Sequence, residues 1–95
     1  MIDKLNKAFE NRVRLGIMSS LMVNDKMDFN AIKELLNQSD GNIASHISAL
    51  EAAGYIKVEK KFIGKKPNTT YRVTAAGRKA FNDHLDALEE LLKNR

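Results

Sequence analysis

The sequence predicts a mainly α-helical fold with one small β-hairpin, and three observations carry that prediction. Apolar residues recur at helical spacing through 3–23, 40–53 and 74–94. Residues 55–63 instead alternate apolar and polar side chains, and a Gly-Lys-Lys-Pro-Asn loop and a β-branched segment follow them. The chain has 95 residues, enough for one hydrophobic core, so 1–95 is expected to form a single domain.

The elements follow in order. In residues 3–23, Leu5, Phe9, Val13, Ile17 and Leu21 fall at i, i+4 spacing, with Leu15, Met18 and Met22 on the opposite face. A helix apolar on two faces has to be covered on two sides. Asn11 can cap a second helical segment, which allows a break near it. Asn24-Asp25-Lys26 reads as a turn and Met27-Asp28-Phe29 as a short extended piece. A second helix is expected from Asn30, its N-cap, to Asn37, burying Phe29, Ile32, Leu35 and Leu36. After a tight Gln38-Ser39-Asp40-Gly41 turn, a third helix runs from Asp40 to Ala53, capped by Ser39 or Asp40. Its apolar stripe is Ile43, Ile47 and Leu50, and Gly54 closes it where a left-handed residue is wanted. In the strand, Ile56, Val58 and Phe62 give one buried face. Gly64 to Asn68 forms the loop, Thr69 to Val73 the return strand, and Thr74 caps a last helix to about Asn94. Two helices joined by a tight turn form a helix-turn-helix, and the hairpin after them makes it a winged helix-turn-helix: a three-helix core plus a long C-terminal helix.

Composition excludes several classes. With no cysteine there is no disulfide framework and no thiolate metal site. Hydrophobic residues make up 43% and charged residues 29%, with one proline, which is a soluble, foldable composition. No apolar run reaches the length of a membrane span, and Lys4, Lys7, Glu10, Arg12 and Arg14 interrupt the first apolar stretch. A cytoplasmic protein is expected. The two histidines, His46 and His84, lie on different predicted helices with no clustered carboxylate. Neither a catalytic constellation nor a metal site is expected, and no cofactor. Gly64-Lys65-Lys66 is not a P-loop, because Glu59 stands where the first glycine belongs and no Ser or Thr follows the lysine.

The net charge of +4 is unevenly spread. Residues 55–73 carry six bases and one acid, whereas 27–54 carry one base and four acids. A concentrated basic segment points to a polyanion; the plainer reading is a solvated lysine-rich hairpin. On a helical wheel, the outward face of 40–53 holds Asn42, Ser45, Ser48, Ala49 and Ala52, with His46 on a flank. Asn can pair with adenine, Ser with any base, and Ala can pack on a thymine methyl. No Arg or Lys lies on this helix. Lys57, Lys60, Lys61, Lys65, Lys66 and Arg72 of the hairpin would instead hold phosphates or reach a minor groove. Lys60, on the apolar alternation, can instead snorkel past Phe62. Arg12 and Arg14 read either as surface solubility or as a backbone contact beside the helix-turn-helix. Phe81, Leu85, Leu88 and Leu92 repeat every three or four residues, the pattern of a short coiled-coil seam or of packing on the domain's own core. With the second apolar face of the first helix they suggest a homodimer. Its interface would come from 1–23 and 74–95, through Leu5, Phe9, Phe81, Leu85, Leu88 and Leu92.

Three stretches resemble the ArsR/MarR-like winged-helix transcriptional regulators. Asn11-Arg12-Val13-Arg14-Leu15-Gly16-Ile17-Met18 resembles the start of their first core helix. Asp40 to Ile47, followed by Leu50-Glu51-Ala52-Ala53-Gly54-Tyr55-Ile56, is similar to their recognition helix running into the wing. Thr69 to Arg78 resembles the return strand and the Thr-x-x-Gly start of their last helix. The resemblance covers about residues 11–92 and is closest to the small stand-alone members. It implies a dimer on double-stranded DNA, with Asn42, Ser45, His46 and Ala49 in the major groove and Lys65 and Lys66 on the wing. The chain departs from the metal-sensing branch, having no Cys pair on the recognition helix and no His/Asp cluster on the last one. It also has no extra helices that enclose a ligand. A homodimeric, sequence-specific DNA-binding regulator is therefore expected, and not an enzyme. The alternative is a winged helix used for protein–protein contact. RNA binding would want stacking aromatics, for which only Tyr55 and Tyr71 are available.

Overall fold

A computed structural model describes residues 2–93. Among them are four α-helices and a three-stranded antiparallel sheet: α1 (Arg12–Val23), β1 (Met27–Asp28), α2 (Phe29–Leu36), α3 (Asp40–Ala52), β2 (Ile56–Ile63), β3 (Lys66–Val73) and α4 (Ala75–Lys93). The architecture is the winged helix expected from the element order. Asn94, the expected end of the last helix, lies outside the described residues.

The helix expected over 3–23 is broken. Ile2–Lys4 and Lys7–Phe9 are separate 3-10 turns, and α1 starts only at Arg12. Two asparagines cause the break. The Asn6 side chain accepts from Ala8 N at 2.9 Å, and that of Asn11 from Val13 N at 2.9 Å and Arg14 N at 3.1 Å. Each offers the backbone a local acceptor in place of a helical carbonyl. The bend drops Phe9 into an aromatic cage, with ring centroids 5.3 Å from Tyr55, 5.2 Å from Phe81 and 5.4 Å from His84. The edge-to-face packing on Phe81 and His84 adds to the burial of a fully enclosed ring.

α1 is the central helix. Ile17, Met18 and Leu21 are fully buried, packed with Ile32 of α2, Ile43 and Leu50 of α3, and Tyr71 of β3. Both apolar faces of α1 are thus covered within one protomer. The second face is not surplus, and it no longer argues for a dimer.

Asp28, not Asn30, caps α2: its carboxylate accepts from Ala31 N at 2.8 Å. The acid ends β1 with extended backbone and meets the positive helix terminus. Leu35, expected in the buried stripe of α2, is 61% exposed. Asn37 ends the helix at φ 51°, a left-handed value that Asn tolerates. Ser39 caps α3, accepting from Asn42 N at 3.2 Å.

The end of α3 organises the rest of the chain. Gly54 has φ 81°, Gly54 N donates to Glu51 O, and Tyr55 N donates to Leu50 O, which is a Schellman ending. The start of α4 is fastened to this corner. Thr74 Oγ1 donates to Gly54 O at 2.7 Å and accepts from Gly77 N at 2.9 Å, while Thr74 N donates to Tyr55 O. A Cβ on Gly77 would lie 2.1 Å from Tyr55 O, so only glycine fits. The Thr-x-x-Gly pattern is the chemistry of this joint.

The sheet has one more strand than the expected hairpin. β1 pairs with β3 through Met27↔Tyr71 and Asp28↔Thr70, giving the order β1-β3-β2. The hairpin is also longer than expected. Ile63 pairs with Lys66 across a two-residue Gly64-Lys65 turn, with Gly64 at φ 64°. Pro67 lies inside β3 opposite Phe62, not in a loop. Pairs alternate between hydrogen-bonded and non-bonded, and the pair after the closing one needs no N–H from Pro67.

On α4, Gly77, Phe81, His84 and Ala87 are buried. The expected leucine seam is therefore split: Phe81 points inward, and Leu85, Leu88 and Leu92 are 43%, 44% and 53% exposed. His84 Nδ1 accepts from Asn6 N at 2.9 Å, tying α4 to the N-terminal turns.

Candidate nucleic-acid interface

The outward face of α3 is divided. Ser45 and Ser48 are exposed, together with Ala44 and Ala52, and carry only small groups. Asn42, His46 and Ala49 form a half-buried stripe on the flank toward α1 and α2. Two of these three are held by partners. Asn42 Nδ2 donates to Gln38 Oε1 at 2.7 Å, across the turn of the helix-turn-helix. Arg14 Nε donates to His46 Nδ1 at 3.0 Å. Gln38 was missed by sequence reasoning, although it sits four residues before Asn42, the spacing of neighbours on a helix.

The Arg14–His46 contact alters the electrostatics of this surface. α3 has no cation of its own, yet a guanidinium from α1 stands against its flank. An imidazole that accepts at Nδ1 is neutral and carries its proton at Nε2, where it is a donor. Burial first, and the charge of Arg14 second, push the His46 pKa below its ordinary value. Arg12 is exposed and lines a groove with Val13, Leu35, Leu36 and Gln38 at the opposite end of the turn.

Residues opposite each other in an antiparallel pair share a face. Lys57, Glu59, Lys61 and Ile63 therefore lie on one face of the hairpin with Lys66, Asn68, Thr70 and Arg72. Glu59 is the acid of this face: Arg72 Nε lies 3.2 Å and Lys61 Nζ 3.8 Å from its carboxylate. Arg72 is half-buried and engaged, so it is less available than the sequence implied. Among the described residues Lys57, Lys60, Lys65 and Lys66 have no ion-pair partner, and all four are exposed. The other face carries Val58, Lys60 and Phe62. Lys60 borders an open groove between α3 and the hairpin with Ile47, Ser48, Glu51, Val58, Thr69 and Tyr71. Burial, and then Glu51, raise the pKa of Tyr71, so its hydroxyl stays protonated. Lys60 is a second residue the sequence underrated. Its place on the apolar alternation pointed to snorkelling, whereas the register turns that face toward α3.

Six leucines and phenylalanines were expected at a dimer interface. Phe9 is fully buried and Phe81 is 4% exposed, both inside the protomer, so neither offers surface to a second copy. A side chain cannot fill the aromatic cage and an interface together. Leu5 is half-buried, and Leu85, Leu88 and Leu92 remain exposed on α4.

A buried tri-helical core, a helix face of small side chains and a basic β-ribbon beside it form the arrangement of winged-helix proteins. The family of winged helix DNA-binding domains matches residues 13–92. The chain belongs to that family. It is thereby placed among DNA-binding proteins and not among enzymes. It is 34% identical over 88 residues to an uncharacterized protein of Methanocaldococcus jannaschii, covering 93% of this chain and 96% of that one. The fold is similar to that of a transcriptional regulator homologue from Pyrococcus horikoshii, with a TM-score of 0.84 and 33% identity over 92% of this chain and 86% of that one. Bacillus subtilis PadR, solved in complex with operator DNA, shares the fold at a TM-score of 0.69 and 17% identity over 79% of this chain and 47% of that one. Among the described residues no three His, Cys, Asp or Glu gather as a metal site, and no helix is long and apolar enough to cross a membrane.

Proposed function

We propose that this winged-helix chain is a transcriptional regulator of the ArsR/MarR-like kind that binds double-stranded DNA sequence-specifically as a homodimer in the cytoplasm. α3 enters the major groove, where Ser45, Ser48 and Ala49 approach base edges closely and His46 presents an Nε2–H donor. Asn42 reads a base only by leaving Gln38. Arg14 supplies the cation that α3 lacks, and Arg12 meets the backbone beside it. Lys61, Lys65 and Lys66 neutralise phosphates on the wing, with Lys57 and Lys60 adding to them and Arg72 offsetting Glu59, which would otherwise repel the phosphates. Residues 1–95 act as one domain, and Leu85, Leu88 and Leu92 of α4, with Leu5, face the second copy.

One observation carries this reading: an uncharged helix face of small side chains stands beside a ribbon whose Lys57, Lys60, Lys65 and Lys66 are exposed and, among the described residues, without an acidic partner. Affinity and sequence reading are thereby assigned to different elements. Selection of bound duplexes from a random pool tests it. A recovered motif repeated about 34 Å apart supports both DNA reading and the dimer. Recovery of no duplex at low salt ends the DNA reading and leaves protein–protein contact.

A further inference from the structure

We propose that the wing tip is an apolar wedge: Phe62 enters the minor groove and partly unstacks one base step per half-site. The proposal rests on the DNA-binding reading above and specifies what the wing does to the duplex.

The ribbon is bare where the wedge sits. β1 reaches only Thr70 and Tyr71 of β3, so the last four pairs, from Lys60↔Thr69 to Ile63↔Lys66, form a two-stranded ribbon with no third strand. A solvated turn is served by Gly64, Lys65 and polar neighbours. Instead, Phe62 is 74% and Ile63 66% exposed at its very end. Apolar side chains on an uncovered ribbon invite aggregation unless a partner takes them.

The surroundings define that partner. Phe62 stands directly opposite Pro67, so a ring and a pyrrolidine share one face. Phe, Ile and Pro are side chains that wedge between base steps from the minor groove. Lys60 shares that face, and Lys61, Lys65 and Lys66 crowd the same short end of the ribbon, which disfavours a basic or wholly apolar partner and matches a polyanion. Direction agrees as well. Val58 and Lys60, on the same face as Phe62, line the groove beside Ser48 of α3. A duplex held against α3 therefore lies on the side to which Phe62 is turned. The lysines hold the phosphates on either side, and the ring takes the place of a stacked neighbour at the opened step.

The test places 2-aminopurine at successive positions of a duplex recovered by selection. Binding of the wild-type chain should raise its fluorescence at one step beside each half-site. Phe62→Ala should remove that rise and weaken binding roughly tenfold, as loss of a base–aromatic stack does. Its salt slope should not change, because no cation is lost. Phe62→Leu should keep part of the rise. Because Phe62 is 74% exposed, both variants should unfold close to the wild-type urea midpoint. Bound duplex with no unstacked step, or an unchanged rise in Phe62→Ala, overturns the wedge and leaves the DNA reading intact. Sedimentation with phosphatidylserine vesicles that Phe62→Ala abolishes, without unstacking in DNA, overturns it in favour of a lipid surface. Wild-type chain that binds no duplex at low salt overturns both readings.

Discussion

α3 and the wing adjoin in sequence and differ in almost every physical respect. α3 is fixed along one side by fully buried Ile43 and Leu50, closed by a Schellman ending, and carries Asp40 and Glu51 but no base. Asp40 is itself held by Lys33 at 2.6 Å. The wing is anchored only at its root, and its outer half is a free ribbon bearing the exposed Lys60, Lys65 and Lys66. The difference teaches how a small domain separates two tasks. A rigid, neutral face suits reading of base edges, which needs fixed geometry. A protruding cationic ribbon suits phosphate, whose attraction tolerates looser geometry.

A direct way to break this contrast is to destroy the joint from which both elements issue. Gly77→Ala should cost on the order of 3 kcal/mol, because the added methyl meets the Tyr55 carbonyl that fixes α4 against the end of α3. Urea unfolding measures it, and a wild-type midpoint would show that the corner yields. A smaller disturbance tests the proposed pairing of two copies while leaving each whole. Leu85→Glu with Leu88→Glu should sediment as a folded monomer, since both leucines are exposed. Phe81→Ala, one turn earlier, should instead lose about 3–5 kcal/mol of stability, because that ring belongs to the core.

Within the DNA complex, the two elements should fail in different ways. Lys65→Ala with Lys66→Ala should lower the slope of log affinity against log salt by about 2 and leave the preferred sequence unchanged. Ser45→Ala should shift the preferred sequence and leave the slope alone. An identical outcome for both variants would dissolve the division of labour. The subtlest effect is in pH. Folding holds His46 neutral, with its pKa below the ordinary 6.5, so the unfolded chain binds the extra proton first. The stability that depends on His46 being neutral, through its burial first and Arg14 second, is therefore complete above about pH 6.5 and declines as pH falls below it. His46→Asn should flatten this small dependence in urea titrations between pH 5 and 7.

How much of the site was legible depended on the range of the interaction. Lys65 and Lys66 were placed correctly at an exposed hairpin end, because Gly-Lys-Lys-Pro between strand patterns is local information. The small, uncharged face of α3 was legible from the wheel, since a helix of known phase needs only its own residues. Arg14 on His46 was not, because the contact joins side chains 32 residues apart on different helices. Arg72 looked available until the register set it against Glu59.

For the fold, the same line can be drawn. Periodicity, caps and turn residues determined that there are helices, a tight turn, a wing and a last helix opening at Thr74, because these depend on neighbours within one turn or strand. Tertiary structure alone decided the rest. It placed Phe9 and Phe81 in one aromatic cage, set β1 beside β3, and covered both faces of α1. It also left Leu85, Leu88 and Leu92 outside while Phe81 turned inward. An apolar side chain has the same hydrophobic drive wherever it stands in the chain. Whether that drive is met within the protomer depends on which distant surfaces arrive to cover it.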